Sequence, residues 1–182
     1  MKKLLTTTLI GGALILSGCG STGYKESANV SRLDVSFVDS QWNGNIIPSG
    51  QNCKHFGGNG STPQLQVNNI PSSANAVIVE FSDETYTPMD NGGHGKIGIW
   101  TNGKTSITIP SVAGETKSVP DNMFIEAEHQ GTHRGQAGAY LPPCSGGKGN
   151  TYYADVKAVY KAKSDKEESK LLGKGKIILG KY

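Results

Sequence analysis

Asp83 and His94 are the side chains whose types and setting come closest to a working site. Asp83 ends the apolar run Val77-Ile78-Val79-Glu80-Phe81-Ser82, and His94 follows Gly92-Gly93 and heads Lys96-Ile97-Gly98-Ile99-Trp100. A carboxylate beside an imidazole can hold it protonated, and an imidazolium can meet an anion. Taken alone, however, Asp83 reads as the end of a turn and His94 as a solvated strand residue. Glu84 adds an acid, but neighbours on a strand point to opposite faces, so Asp83 and Glu84 do not form a carboxylate dyad.

A second candidate is the stretch Gly138-Ala139-Tyr140-Leu141-Pro142-Pro143-Cys144-Ser145-Gly146-Gly147-Lys148-Gly149-Asn150-Thr151-Tyr152-Tyr153. Two prolines stiffen it, glycines then free it, and an aromatic run follows, which makes it a shaped loop of the kind that carries sites. Tyr140, Pro142 and Pro143 are side chains able to form a dry wall wherever such a loop closes on a ligand. A third group, Glu126, Glu128, His129 and His133, has the side-chain types of a zinc or copper site. Gly131 and Thr132 break the helix that the spacing of His129 and His133 would need, so no metal is expected and these residues, with Arg134, read as a polar loop at the pocket mouth. No Gly-x-Ser-x-Gly motif is present, and the glycines at Gly57-Gly58-Asn59-Gly60 lack the Lys-Ser/Thr of a phosphate loop. A non-enzyme without a cofactor is expected.

Short β-strands must position these groups. Leu33, Val35 and Phe37 alternate with polar residues, as do Leu65 and Val67, and Ile97 and Ile99. Each is a half-buried strand, and Val77–Val79 is a fuller apolar run suited to a central one. Ser106–Ile109, Met123–Ala127, Ala154–Tyr160 and Lys176–Leu179 complete an all-β reading as two packed antiparallel sheets, a β-sandwich. The capping box Ser164-Asp165-Lys166-Glu167, followed by Leu171, Leu172 and Gly173, predicts one short helix before the last strand.

Residues 1–18 have two lysines, an apolar run and small residues, the pattern of a signal peptide. Leu16-Ser17-Gly18-Cys19 resembles the bacterial lipobox, in which the cysteine is acylated; an ordinary secreted protein is the alternative. With Gly20 after it and no aspartate, the stretch resembles lipoproteins sorted to the outer membrane, which implies a domain facing the periplasm or the cell surface. Residues 19–30 read as a lipidated tether and 31–182 as one domain. With Lys2 and Lys3 removed from the 18 Lys+Arg, 16 bases face 15 acids, a balance that excludes a nucleic-acid partner. Cys53 and Cys144 remain, and in an oxidising compartment they read as a disulfide rather than as free thiols or a metal pair.

Four pieces in order resemble the bacterial branch of the phosphatidylethanolamine-binding protein family. They are the segment from Asn52-Cys53 to Gly60-Ser61-Thr62-Pro63-Gln64-Leu65, the strand ending at Asp83 with the strand headed by His94, the loop Gly138–Cys144, and the closing stretch Leu171–Tyr182. The resemblance covers nearly all of residues 31–182. It implies two packed sheets with a small pocket at the strand ends for a phosphate or phospholipid head-group-like ligand, held by Asp83, His94, Tyr140, Pro142 and Pro143. Where the family has Asp-Pro-Asp-Ala-Pro this chain has Asp83-Glu84-Thr85-Tyr86-Thr87-Pro88, His94 is followed by Gly95 rather than Trp, and Ser145-Gly146 stand for Pro-Pro. The second family histidine falls at Thr151 or a neighbour, and no histidine follows His133. One histidine fewer and an added acid weaken phosphate binding. The expected function is a membrane-tethered periplasmic binding protein with a small anion-type pocket; the alternative is an interaction or inhibitor lipoprotein that docks a periplasmic protein with the same loops.

Overall fold

The computed structural model describes residues 23–131, 133 and 136–182. Residues 1–18, read above as a signal peptide, Cys19 and Arg134 lie outside them. Among the described residues nine strands form in chain order: β1 (Lys25–Arg32), β2 (Asp34–Phe37), β3 (Leu65–Asn68), β4 (Ala76–Asp83), β5 (Lys96–Trp100), β6 (Ile107–Ile109), β7 (Met123–Ala127), β8 (Thr151–Tyr160) and β9 (Lys170–Lys181). One sheet has the order β1-β9-β8-β4-β5-β7 and the other β2-β3-β6.

Period-two patterning decides what lies between the sheets. Val77, Val79 and Phe81 of β4 pack with Ile97 and Ile99 of β5, Val156 of β8 and Leu179 of β9 against Leu65, Val67, Ile107 and Ile109 of the smaller sheet. Each such side chain contributes about 1.5–3 kcal/mol by leaving water. The intervening positions of β4 face the other way, yet all of β4 is buried. Tyr24 and Phe124 pack against a small cluster of Ala76, Ile78, Val159 and Leu171 on that outer face. Further along the same face, Lys157 Nζ lies 2.7 Å and Lys96 Nζ 3.5 Å from the buried Glu80 carboxylate. A carboxylate can be buried mid-sheet here because two ammonium groups replace its water.

The structure corrects the sequence reading in two places. The pairing is not wholly antiparallel, because β1 runs parallel to β9, with Lys25 opposite Lys170; β1 thus claims residues 25–30 of the stretch read as tether. The predicted helix is absent. Ser164–Glu167 makes a single turn, with Glu167 N–H on the Ser164 carbonyl. The Glu167 carboxylate takes the Tyr160 hydroxyl at 2.6 Å and Lys163 N–H at 3.3 Å instead of closing a capping box. Leu171 and Leu172 enter β9 on opposite faces, Leu171 in the outer cluster and Leu172 against the main core. Pairing with β8 on one side and β1 on the other outweighs a local preference that propensity alone would leave marginal.

Candidate functional site

A glycine cluster before β5 fixes His94. Gly92 and Gly95 have φ of +86° and +113°, and a Cβ on Gly95 would sit 2.0 Å from the Ala139 carbonyl oxygen. Only glycine lets the segment 139–141 run this close, and His94 is tied on both sides as a result. Its N–H donates to the Phe81 carbonyl (3.0 Å), and its carbonyl accepts Leu141 N–H (2.9 Å). The ring closes the contact, Nδ1–H donating to the Leu141 carbonyl at 2.7 Å. A carbonyl only accepts, so the proton sits on Nδ1 and Nε2 keeps a lone pair.

The loop on the other side is extended and pinned at almost every residue. Ala139 N–H donates to Thr116, the Tyr140 carbonyl accepts Glu115 N–H, and the Pro143 carbonyl accepts Cys53 N–H. Pro142 and Pro143 are buried, where their lack of an N–H leaves no orphaned donor. Cys144 is joined to Cys53 across 91 residues, which fastens the loop to the segment after Gly50. Past Cys144 the backbone turns on Gly146, Gly147 and Gly149, all at positive φ. Lys148 sits exposed on that turn, and the chain then enters β8.

Between these pieces lies a pocket of about 270 Å³ at the Asp83 end of β4 and the Thr151 end of β8. Asp83, Met89, His94, Leu141, Cys144, Ser145 and Tyr152 give it a buried wall, and Thr85, Tyr86, His133 and Lys148 an exposed rim. Asp83 is buried and fully engaged. Its Oδ1 accepts Thr85 N–H (2.9 Å) and Tyr86 N–H (3.1 Å), and its Oδ2 accepts Asn150 Nδ2 (2.7 Å). Glu84, its neighbour, points away and lies 3.8 Å from Lys176.

Burial, above all, pulls the His94 pKa down to about 4, against the opposing effects of the Leu141 carbonyl and Asp83. Asp83 favours the protonated ring, as expected from the sequence, but its charge is already shared among three donors and desolvation wins. His94 is a neutral imidazole at pH 7. Beside it, the Tyr152 ring meets the imidazole edge-on with centroids 5.3 Å apart. Burial first, and the Asp83 carboxylate as well, push the Tyr152 phenol up to about 12, against the opposite effects of Ser145 and the Cys144 N–H. The phenol therefore keeps its proton, and its oxygen accepts Cys144 N–H at 3.2 Å.

Of the residues singled out in the sequence, Asp83 and His94 meet in the pocket. Tyr140 does not reach it: its ring is buried against Phe81, with centroids 4.7 Å apart. Pro142 and Pro143 hold the loop rather than line the cavity, Pro142 filling the space beside Gly60 and Gly114. Sequence reasoning held Ser145, Lys148, Asn150 and Tyr152 within the candidate stretch without giving them a role, and it missed Met89. Asn150 and Tyr152 share one face of the entry to β8, a two-residue spacing that could have been read; the turn that presents Lys148 leaves no such signal.

The acidic and histidine cluster does not converge. Glu126 accepts the Tyr24 hydroxyl and lies 2.8 Å from Lys161, and Glu128 lies 2.7 Å from Lys117. His129 Nε2–H donates to the Gln136 carbonyl at 2.7 Å, while His133 stands on the pocket rim. Among the described residues no three His, Cys, Asp or Glu side chains are grouped to hold a metal ion.

No protein-family model and no curated protein matches the chain. Among solved structures it is similar to a protein of Chlamydia trachomatis described as a phosphatidylethanolamine-binding protein (PEBP) homologue. The two are 15% identical with a TM-score of 0.50, and the match covers 84% of this chain and 97% of that one. Likeness at this identity speaks for the fold, and it agrees with the order of sequence pieces above: the chain has a PEBP-like fold.

Proposed function

We propose that the protein is a membrane-tethered binding protein whose pocket takes a small anionic group of the phosphate type, free or on a head group, without catalysing a reaction. The observation that carries this is the rim and wall around His94: Lys148 faces a pocket in which the one carboxylate among the described lining residues, Asp83, is already held by three donors. An anion there meets a cation and a protonated phenol without an unscreened negative charge opposite. With Nδ1–H given to Leu141, the neutral ring has only the Nε2 lone pair to offer, which suits a protonated oxygen or an ammonium of the ligand. A ring with a pKa near 4 is also a poor general base at pH 7, which supports binding without turnover.

Amide NMR titration with inorganic phosphate, phosphoethanolamine and acetate tests this. Saturable shifts at residues 83–94 and 144–152 are expected, stronger for the two phosphates. Lys148→Ala should weaken phosphate binding about tenfold, one charge-assisted hydrogen bond. Absent shifts, or an unchanged affinity in the variant, would overturn the anion assignment.

A second reading, docking of a protein by the same loops, is favoured by one observation. Tyr86 on the rim and Phe56, which lies against Gly146 beside it, are exposed by 49% and 38%. Aromatic side chains at a cavity rim suit an inserted peptide.

A further inference from the structure

We propose that the lipid anchor seats the domain with its Trp100 end on the bilayer and its pocket facing away, so that the pocket takes a water-soluble ligand and not a head group of the anchoring membrane. This rests on the tether reading of Cys19.

The strand directions carry the argument. β1 begins where β9 begins, Lys25 N–H donating to the Ser169 carbonyl at 2.9 Å. Ala76, at the start of β4, pairs with Trp100 at the end of β5 and with Val159 near the end of β8. The first described residues therefore leave the sandwich at the end marked by Trp100. β4 then runs its eight residues to Asp83, in the pocket, a distance of roughly 25 Å. From Cys19 to Gly23 a fully extended chain reaches at most about 14 Å. Inverting the domain so that the pocket meets the bilayer needs more chain than that.

The end so presented is built for a water–lipid boundary. Trp100 is 38% exposed, yet its backbone is clamped. Its N–H donates to the Asn122 carbonyl (3.0 Å) and its carbonyl accepts Asn122 Nδ2 (2.9 Å), with Asn122 at φ +67°. Phe124 packs on the indole with centroids 4.7 Å apart. The Lys161 ammonium lies 5.4 Å from the Phe124 ring and 5.8 Å from the Tyr24 ring. Trp100, Phe124 and Tyr24 thus form one aromatic band around a lysine, beside the point where the chain leaves for Cys19. Indole and phenol rings partition to the head-group zone because one end is apolar and the other hydrogen-bonds. The Lys161 charge is matched by Glu126 at 2.8 Å, so the aromatic contact, not charge, is what holds this end down.

The test uses the full chain, lipidated and reconstituted in vesicles of phosphatidylcholine with or without bromine on the acyl chains, which quench only nearby tryptophan. Buried Trp42 is a constant background. Trp100 emission should fall in brominated vesicles, and the fall should vanish in Trp100→Phe and in Cys19→Ala. A reporter on the pocket rim, Tyr86→Trp in a Trp100→Phe background, should be unaffected by bromine. It should respond to added soluble phosphoethanolamine and not to replacing phosphatidylcholine by phosphatidylethanolamine vesicles. Mass spectrometry of the N-terminal peptide separates the failures. An unacylated Cys19 overturns the tether reading and the seating with it. Acylated Cys19 with an unquenched Trp100, a quenched rim reporter, or a rim reporter answering to the vesicle lipid overturns the seating alone.

Discussion

The buried imidazole of His94 makes stability depend on pH in a direction that can be worked out. In the unfolded chain a histidine has a pKa of about 6.5, and in the fold His94 is pulled down to about 4. Between those values the unfolded state binds the extra proton, so stability rises with pH. The contribution is fully present above about pH 6.5 and drains away as pH falls towards 4. Moving from pH 7 to pH 5 should cost about 2 kcal/mol from this group alone, or about 5 °C in Tm for a domain of this size. His94→Asn is the matched control. Its amide nitrogen stands in for Nδ1 and can still donate to the Leu141 carbonyl, but it does not titrate. Denaturant unfolding of both proteins at pH 7 and pH 5 should show a larger loss for the parent by about 2 kcal/mol, since every other titrating group is shared. Equal losses in the two proteins would refute the reasoning. So would an NMR titration that finds the folded His94 ring charging near pH 6.5.

Removing the Cys53–Cys144 bridge as Cys53→Ala with Cys144→Ala frees a loop spanning 91 residues; thermal unfolding should show a loss of up to about 5 kcal/mol. Because Cys144 also lines the pocket, phosphate shifts in the NMR titration should weaken in parallel. Gly95→Ala places a methyl 2.0 Å from the Ala139 carbonyl oxygen at φ +113°, so calorimetry should record about 3 kcal/mol lost. The damage should centre on Leu141, read as loss of amide-exchange protection there. Asn150→Ala leaves Asp83 Oδ2 without its side-chain donor, a loss of about 1–3 kcal/mol in denaturant unfolding.

The sandwich could be read from the chain because period-two alternation is a local signal. Val77, Val79 and Phe81 declare their face whatever lies opposite. The misread helix shows the limit of such signals. Ser164 and Glu167 have the right types and spacing, and only the position of Tyr160, reached through the β8 turn, tells which partner Glu167 takes. The site was half legible for a similar reason. Asp83 ends β4 and His94 lies two residues before β5, and strand ends meet by topology. Tyr140 lies in the loop and Tyr152 just inside β8, both within the one stretch singled out in the sequence, and choosing between them requires knowing that Phe81 fills the space beside Tyr140. The charge of His94 could not be read at all, because desolvation is a property of the assembled wall and not of any neighbour in sequence.

The parallel pairing of β1 with β9 gives the molecule a mechanical character. A pull at Gly23 draws β1 along its own axis, past a strand that points the same way and that is itself held by β8. The hydrogen bonds linking β1 to β9 are then loaded together in shear. An antiparallel hairpin pulled from its open end would instead release its bonds one at a time. The first strand of the domain is therefore fastened like a lap joint, suited to bearing load along the direction in which the chain leaves the fold.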